Sequence, residues 1–198
     1  MPDDTEAPLL PSDFSVRALP LVDASGPWVR LFQRGHDPLY FGRTRRNRFD
    51  DPTQGYGVLY AADTFDGAFI EIFGRSPGAN TVDGGQLATR DMARIETLRA
   101  LRLVDLTGPG LARIGATSAL FAGPHAASRQ WSRAMWSHAG TPDGLLYLSR
   151  HDPASFCVAI FDRAADAIRA TAEGNVLADS HRVALGATLN RYRFSIQP

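Results

Sequence analysis

The sequence predicts an α+β fold, a mixed sheet arrangement with flanking helices. Two observations lead there. Apolar segments of strand length recur at 28–32, 58–62, 101–106, 145–149 and 156–161, bounded by Gly, Pro and Asp. Helical periods fall between only some of them, so the strict alternation of a doubly wound parallel sheet is missing. A length of 198 residues and a hydrophobic fraction of 44% suit one large domain or two small ones with a real core.

Residues 1–26 read as an N-terminal arm, because prolines at 2, 8, 11 and 20 interrupt any period. One domain over 27–198 follows. Trp28-Val-Arg-Leu-Phe32 is a short strand, and 33–57 is loop-like. Val58–Ala62 is an apolar strand. Asp63 and Thr64, both suited to an N-cap, precede Phe65, Ala68, Phe69 and Ile72 at helical spacing, and Gly74 ends that helix. Residues 75–90 form a Gly-rich connection, and 91–100 a short helix. A strand at 101–106 and a helix near 124–139 come next. Leu145–Ser149 and Phe156–Phe161, linked by Arg150–Ser155, predict a hairpin. A helix near 179–190 and a last strand at 192–196 complete the chain.

The net charge is +0, yet all 21 basic residues are arginine. The codon bias of a GC-rich genome accounts for that, and it removes chemistry. Without lysine there is no Schiff base and no Walker-type phosphate lysine. Arginine forks would have to grip any phosphate. Cys157 is the one cysteine, so no intrachain disulfide is expected. No apolar run approaches the ~20 residues that span a bilayer. The acidic, proline-bearing N-terminus is unlike a signal peptide, and a cytoplasmic location is expected. The five histidines are scattered, fit no zinc pattern and read as surface or incidental, so no metal is expected. Gly108-Pro-Gly-Leu-Ala-Arg-Ile-Gly115 does not fit a dinucleotide fingerprint, which disfavours a Rossmann domain.

Three residues stand out locally. Glu71 is the one charge in the apolar run Ala68–Phe73, on a helix apolar nearly all round. Such a carboxylate either pairs with an arginine or lines a cleft. Arg30 sits inside an apolar strand, where it faces solvent or binds an anion. Ser149 ends a strand, a place for turn chemistry or for a ligand contact. The run Arg43–Arg48 is the strongest electrostatic feature, fit for a solvated loop, a pyrophosphate clamp or a nucleic-acid backbone.

In order and spacing these segments resemble the RES domain, a family named for a dispersed arginine, glutamate and serine. Trp28-Val-Arg30-Leu-Phe32 is similar to its opening strand. Arg48-Phe49-Asp50, then Gly57-Val-Leu-Tyr60-Ala-Ala, resembles its second-arginine stretch and tyrosine strand. Ala68-Phe-Ile-Glu71 resembles the glutamate helix, and Asp143-Gly-Leu-Leu-Tyr-Leu-Ser149-Arg150 the serine strand. Asn47 replaces the glycine usual before the second arginine, which leaves open which arginine of 43–48 serves.

The resemblance implies a fold similar to ADP-ribosyltransferases, with 27–198 as the catalytic domain. It implies NAD as substrate, no resident cofactor, and cleavage of the nicotinamide–ribose bond by water or phosphate. On that reading Glu71 stabilises charge on the ribose, while Arg30 and Arg48 hold the pyrophosphate. Tyr60 and Ser149 sit at the nicotinamide–ribose end. The family's toxins pair with helix-turn-helix antitoxins of the Xre type, and nucleic acid enters only through that partner. Three alternatives differ in chemistry. One is an ADP-ribosyltransferase acting on a macromolecule. Another is an RNA-binding or RNA-cleaving toxin using Arg43–Arg48. The last is a non-catalytic module in which Arg30 pairs with Glu71.

Overall fold

A computed structural model describes residues 9–74 and 80–197. The chain opens with β1 (Leu21–Ala24), β2 (Trp28–Gln33) and β3 (Val58–Ala62). Next come α1 (Phe65–Phe73), β4 (Thr81–Asp83), α2 (Gly84–Ala88), β5 (Arg90–Thr97) and β6 (Leu101–Asp105). Three helices follow, α3 (Pro109–Ile114), α4 (Ala119–Ala122) and α5 (His125–Ser137). The chain then runs through β7 (Gly144–Leu148), β8 (Phe156–Phe161), β9 (Ile168–Asn175), α6 (Arg182–Tyr192) and β10 (Ser195–Gln197).

Among the described residues the strands form an eight-stranded sheet, ordered β1-β6-β7-β8-β3-β2-β5-β9, and a small parallel pair, β10-β4. Within the large sheet β6 and β7 run parallel and the other pairings are antiparallel. The α+β class with a mixed sheet and flanking helices is therefore borne out. So is the β7–β8 hairpin.

The apolar strands are apolar because both faces are covered. Along β8, Cys157, Ala159 and Phe161 join a core containing Phe69 of α1 and Trp131 of α5. Val158 and Ile160 join a second core with Trp28, Leu59, Ile95 and Leu103. α1 starts where the Thr64 hydroxyl accepts the Gly67 amide at 3.1 Å, so Thr64 rather than Asp63 is the cap. A Cβ on Gly67 would sit 3.1 Å from the Ala62 Cβ and 3.2 Å from the Ser155 Cβ. Glycine there lets α1 lie close against the sheet, and this closeness presents Glu71 beside β3.

Several expectations are corrected. Residues 90–97 form strand β5, not a helix. Arg, Met, Ala and Glu favour a helix locally, but β5 is paired on both sides, to β2 and β9, and this pairing overrides propensity. β9 carries Gly174 and a polar, half-exposed pattern, so no apolar alternation announces it. Within the stretch read as an arm, Leu21–Ala24 pairs with β6 and Phe14 is buried; residues 1–8 lie outside the described residues. The Gly-rich connection holds β4 and α2 after residue 80, while 75–79 lie outside the described residues. The last helix runs on to Tyr192, which shortens the last strand to 195–197.

Candidate active site

β2 and β3 lie side by side in the sheet, yet among the described residues they are paired at one position, Val29 with Ala62. Beyond that pair a cleft of about 1010 Å³ opens. Residues of both strands line it, together with Glu71 of α1, the 44–48 loop and Gln197 of β10. Arg30, Arg48, Tyr60 and Glu71 all reach this wall. Residues far apart in the sequence are thus brought to one cavity by the splay of two neighbouring strands.

Glu71 is half-buried on the cleft side of α1. Its Oε1 accepts the Ser149 hydroxyl at 2.6 Å. Ser149 itself is 2% exposed. Its oxygen accepts the backbone amides of His151 (3.1 Å) and Asp152 (3.2 Å). Two N–H donors occupy the oxygen, so its single proton is left for the carboxylate. The family resemblance places Ser149 at the nicotinamide–ribose end, but among the described residues it does not line the cleft. The geometry makes it a support behind the carboxylate.

The two arginines are held by carbonyls. Arg30 Nη1 donates to the Tyr60 carbonyl at 3.3 Å and Nη2 to the Tyr40 carbonyl at 3.0 Å. Burial lowers its pKa to about 10, with Asp37 opposing. Arg48, only 8% exposed, donates Nη1 to the Gly123 carbonyl at 2.7 Å and to Ser128 Oγ at 3.3 Å. Burial and then Arg150 depress its pKa, and Tyr147 and Glu71 pull the other way. Arg30 Nε and Arg48 Nη2 are buried with no hydrogen-bond partner among the described residues. Buried N–H groups left unmade cost about 1–3 kcal/mol each. Two cationic forks held in such a state favour an anionic ligand.

The 43–48 run is not a continuous basic face. Arg43 pairs with Asp162 at 2.7 Å, and Arg48 turns inward. Arg46 lines the cleft and Arg45 is exposed. Of the run, Arg48 is the buried arginine that lines the cleft, and Arg46 lines it from an exposed position.

Tyr60 lines the cleft, but its hydroxyl has partners. It donates to Asp50 Oδ1 at 3.0 Å and accepts the Phe49 amide at 2.9 Å. Asp50 is fully buried and also accepts the Arg46 and Asn47 amides, each at 3.1 Å, and the Thr44 hydroxyl at 3.3 Å. This carboxylate folds the arginine loop around itself, and Tyr60 ties it to β3. Asp50 carries no sequence signal beyond its place after Arg48-Phe49.

Histidines read as incidental also reach the cleft: His36, His125 and His151 line it. Burial, then Arg48 and Arg129, keep the His125 pKa below the ordinary histidine value, so it is neutral at pH 7. Cys157 and Tyr147 line the same cavity, and burial pushes both pKa values up. Both are protonated at neutral pH. Scattered single positions such as these give no motif, so only the fold collects them. Among the described residues no group of three His, Cys, Asp or Glu side chains could hold a metal ion.

The RES domain family matches residues 27–184, which include Arg30, Arg48, Tyr60, Glu71 and Ser149. The chain belongs to the RES domain family. A curated relative from Sinorhizobium fredii, "Probable toxin y4kH", is 34% identical to this RES domain over 103 residues, 52% of this chain and 80% of that protein. A chain in the crystal structure of the M. tuberculosis MbcT–MbcA toxin–antitoxin complex shares the fold. Its TM-score is 0.66 at 17% identity, covering 88% of this chain and 99% of that chain. No described helix is long and apolar enough to cross a membrane.

Proposed function

We propose that this RES domain is a toxin that degrades NAD by breaking its nicotinamide–ribose bond. The observation that carries the reading is the pairing of unlike groups in one cleft. A carboxylate held by a buried serine faces the same cavity as two arginine forks, Arg48 buried and Arg30 half-buried, each with a buried donor that has no hydrogen-bond partner among the described residues. A dinucleotide that is cationic at one end and anionic at its pyrophosphate suits such a site.

When the glycosidic C–N bond breaks, its electron pair leaves with neutral nicotinamide and positive charge grows on the ribose. A carboxylate beside that sugar lowers the barrier, as in glycoside hydrolysis. Glu71 takes this role. The Ser149 hydroxyl, donating to Oε1, fixes the carboxylate's orientation toward that sugar. Arg30 and Arg48 grip the pyrophosphate with forked hydrogen bonds. Tyr60 offers its ring face to the nicotinamide–ribose end, since its hydroxyl holds Asp50 and Phe49. With water as acceptor the products are nicotinamide, ADP-ribose and a proton; with phosphate, the ribose takes a phosphate instead. NAD is consumed as substrate in the cytoplasm, with no resident cofactor. By analogy with the toxin–antitoxin complex that shares the fold, its partner is an antitoxin, and the family resemblance points to one of the helix-turn-helix type.

The test is product analysis of purified protein with NAD, with and without phosphate. Wild type releases nicotinamide. Glu71→Gln lowers the rate at least about 10²-fold with Tm unchanged. Near-normal turnover in that variant sinks the assignment. ADP-ribose appearing on a macromolecule instead of in solution reassigns the chain as a transferase.

A further inference from the structure

The family match ends at residue 184, yet the chain beyond it meets the site repeatedly. The Thr188 hydroxyl donates to Asp66 in the first turn of α1. The Phe194 ring packs edge-on against Phe69 of the same helix, with centroids 5.7 Å apart. Gln197 of β10 lines the cleft. One contact runs toward the glutamate. Tyr192, the last residue of α6, donates its hydroxyl to Asp152 Oδ2 at 2.6 Å.

Asp152 sits in the loop that holds Ser149. Its carboxylate accepts the Ala154 amide at 3.1 Å and the Ser155 hydroxyl at 3.2 Å, both local bonds. Its own backbone amide is one of the two that occupy Ser149 Oγ. The bond from Tyr192 reaches this loop from forty positions away and anchors it to α6. A path of hydrogen bonds therefore leads from Tyr192 to Asp152, to Ser149 and to Glu71 Oε1. The Tyr192 hydroxyl leads the causes that hold the Asp152 pKa below its usual value, so Asp152 is ionised and accepts at neutral pH.

We propose that Tyr192 is a positioning residue for Glu71, acting through Asp152 and Ser149, and that the end of α6, beyond the family match, supports the active site. Without this anchor the loop amides drift from Ser149 Oγ. The serine proton then loses its fixed aim at the carboxylate. This rests on the reading of Glu71 as the carboxylate that faces the ribose.

The experiment uses the full chain with Tyr192→Phe. We expect kcat for NAD loss to fall about tenfold, the scale of one charge-assisted hydrogen bond, with KM within about twofold. Because both residues act on one path, adding Ser149→Ala should cost nothing further beyond Ser149→Ala alone. Fully additive losses overturn the proposal. Phe14→Ala removes packing against Trp131 of α5 and serves as the control for lost stability. An equal kcat loss in that variant also overturns it. Amide exchange at His151 and Asp152 reads the loop without reference to NAD, and faster exchange in Tyr192→Phe is expected. Unchanged exchange refutes the anchor whether or not NAD is the substrate. Full turnover in Glu71→Gln removes the catalytic reading while this exchange still decides what Tyr192 holds.

Discussion

At the scale of single residues, Glu71 and Arg30 were legible because each is a charge where the local pattern calls for apolar side chains. Burial without a partner is expensive, so such a residue implies either a partner or a ligand. Their settings could not be read locally. Arg30 bridges the carbonyls of Tyr40 and Tyr60, ten and thirty positions away. Lysine has no fork and spans neither pair. Arg30→Lys is therefore expected to raise KM for NAD by about 10–100-fold, the range of one or two charge-assisted bonds. Steady-state kinetics checks this, and an unchanged KM rules out the clamp. Asp50 shows the opposite case. It looks like an ordinary loop acid, and only its full burial among amides and hydroxyls reveals that it shapes the arginine loop.

At the scale of elements, α1 was readable from cap to stop. An N-cap side chain, a helical apolar period and a closing glycine are local signals, and tertiary contact adds to them rather than opposing them. Removing the cap tests this. Thr64→Ala leaves the Gly67 amide without its side-chain acceptor and should cost about 1 kcal/mol, seen as a lower Tm in calorimetry. Glu71 lies near the other end of the helix, so NAD turnover at 25 °C should stay close to wild type. A loss of turnover without a change in Tm would count against this account of the cap. β5 shows where local reading fails. Its residues favour helix, and the decision comes from strands β2 and β9, one on each side. Pairing of that kind is invisible within a ten-residue window.

At the scale of the whole molecule, stability depends on buried acids that bring distant segments together. Burial pushes the Asp51 pKa up, but the amides of Thr53 and Gly55, the Thr53 hydroxyl and Arg133 outweigh it, and the net shift is downward. Asp143 is likewise lowered overall by Arg99 and the Arg102 amide against burial. A carboxylate with a depressed folded pKa contributes stability above its unfolded value of about 3.9. That contribution is lost as pH falls through the folded pKa. Unfolding free energy should then drop steeply below about pH 4. Asp51→Asn should be weaker than wild type by about 1–3 kcal/mol at pH 7, and the gap should close as the medium becomes acidic. Denaturant titrations at several pH values measure both. A gap that stays constant with pH excludes the linkage.

The sequence by itself determined which residue types were available and which segments had a strong period. It carried the α+β class, the β7–β8 hairpin, α1, and the ordered arginine, tyrosine, glutamate and serine that mark the family. Those signals are local or repeat in a fixed order, so they survive in one dimension. The tertiary structure decided the rest. It set the splay of β2 from β3 that opens the cleft and the inward turn of Arg48. It withdrew Ser149 behind Glu71 and returned α6 to the serine loop. Each depends on contacts between positions tens of residues apart, Ser149 and Glu71 being 78 apart. Such contacts form only when burial of both faces of the sheet settles which strands are neighbours.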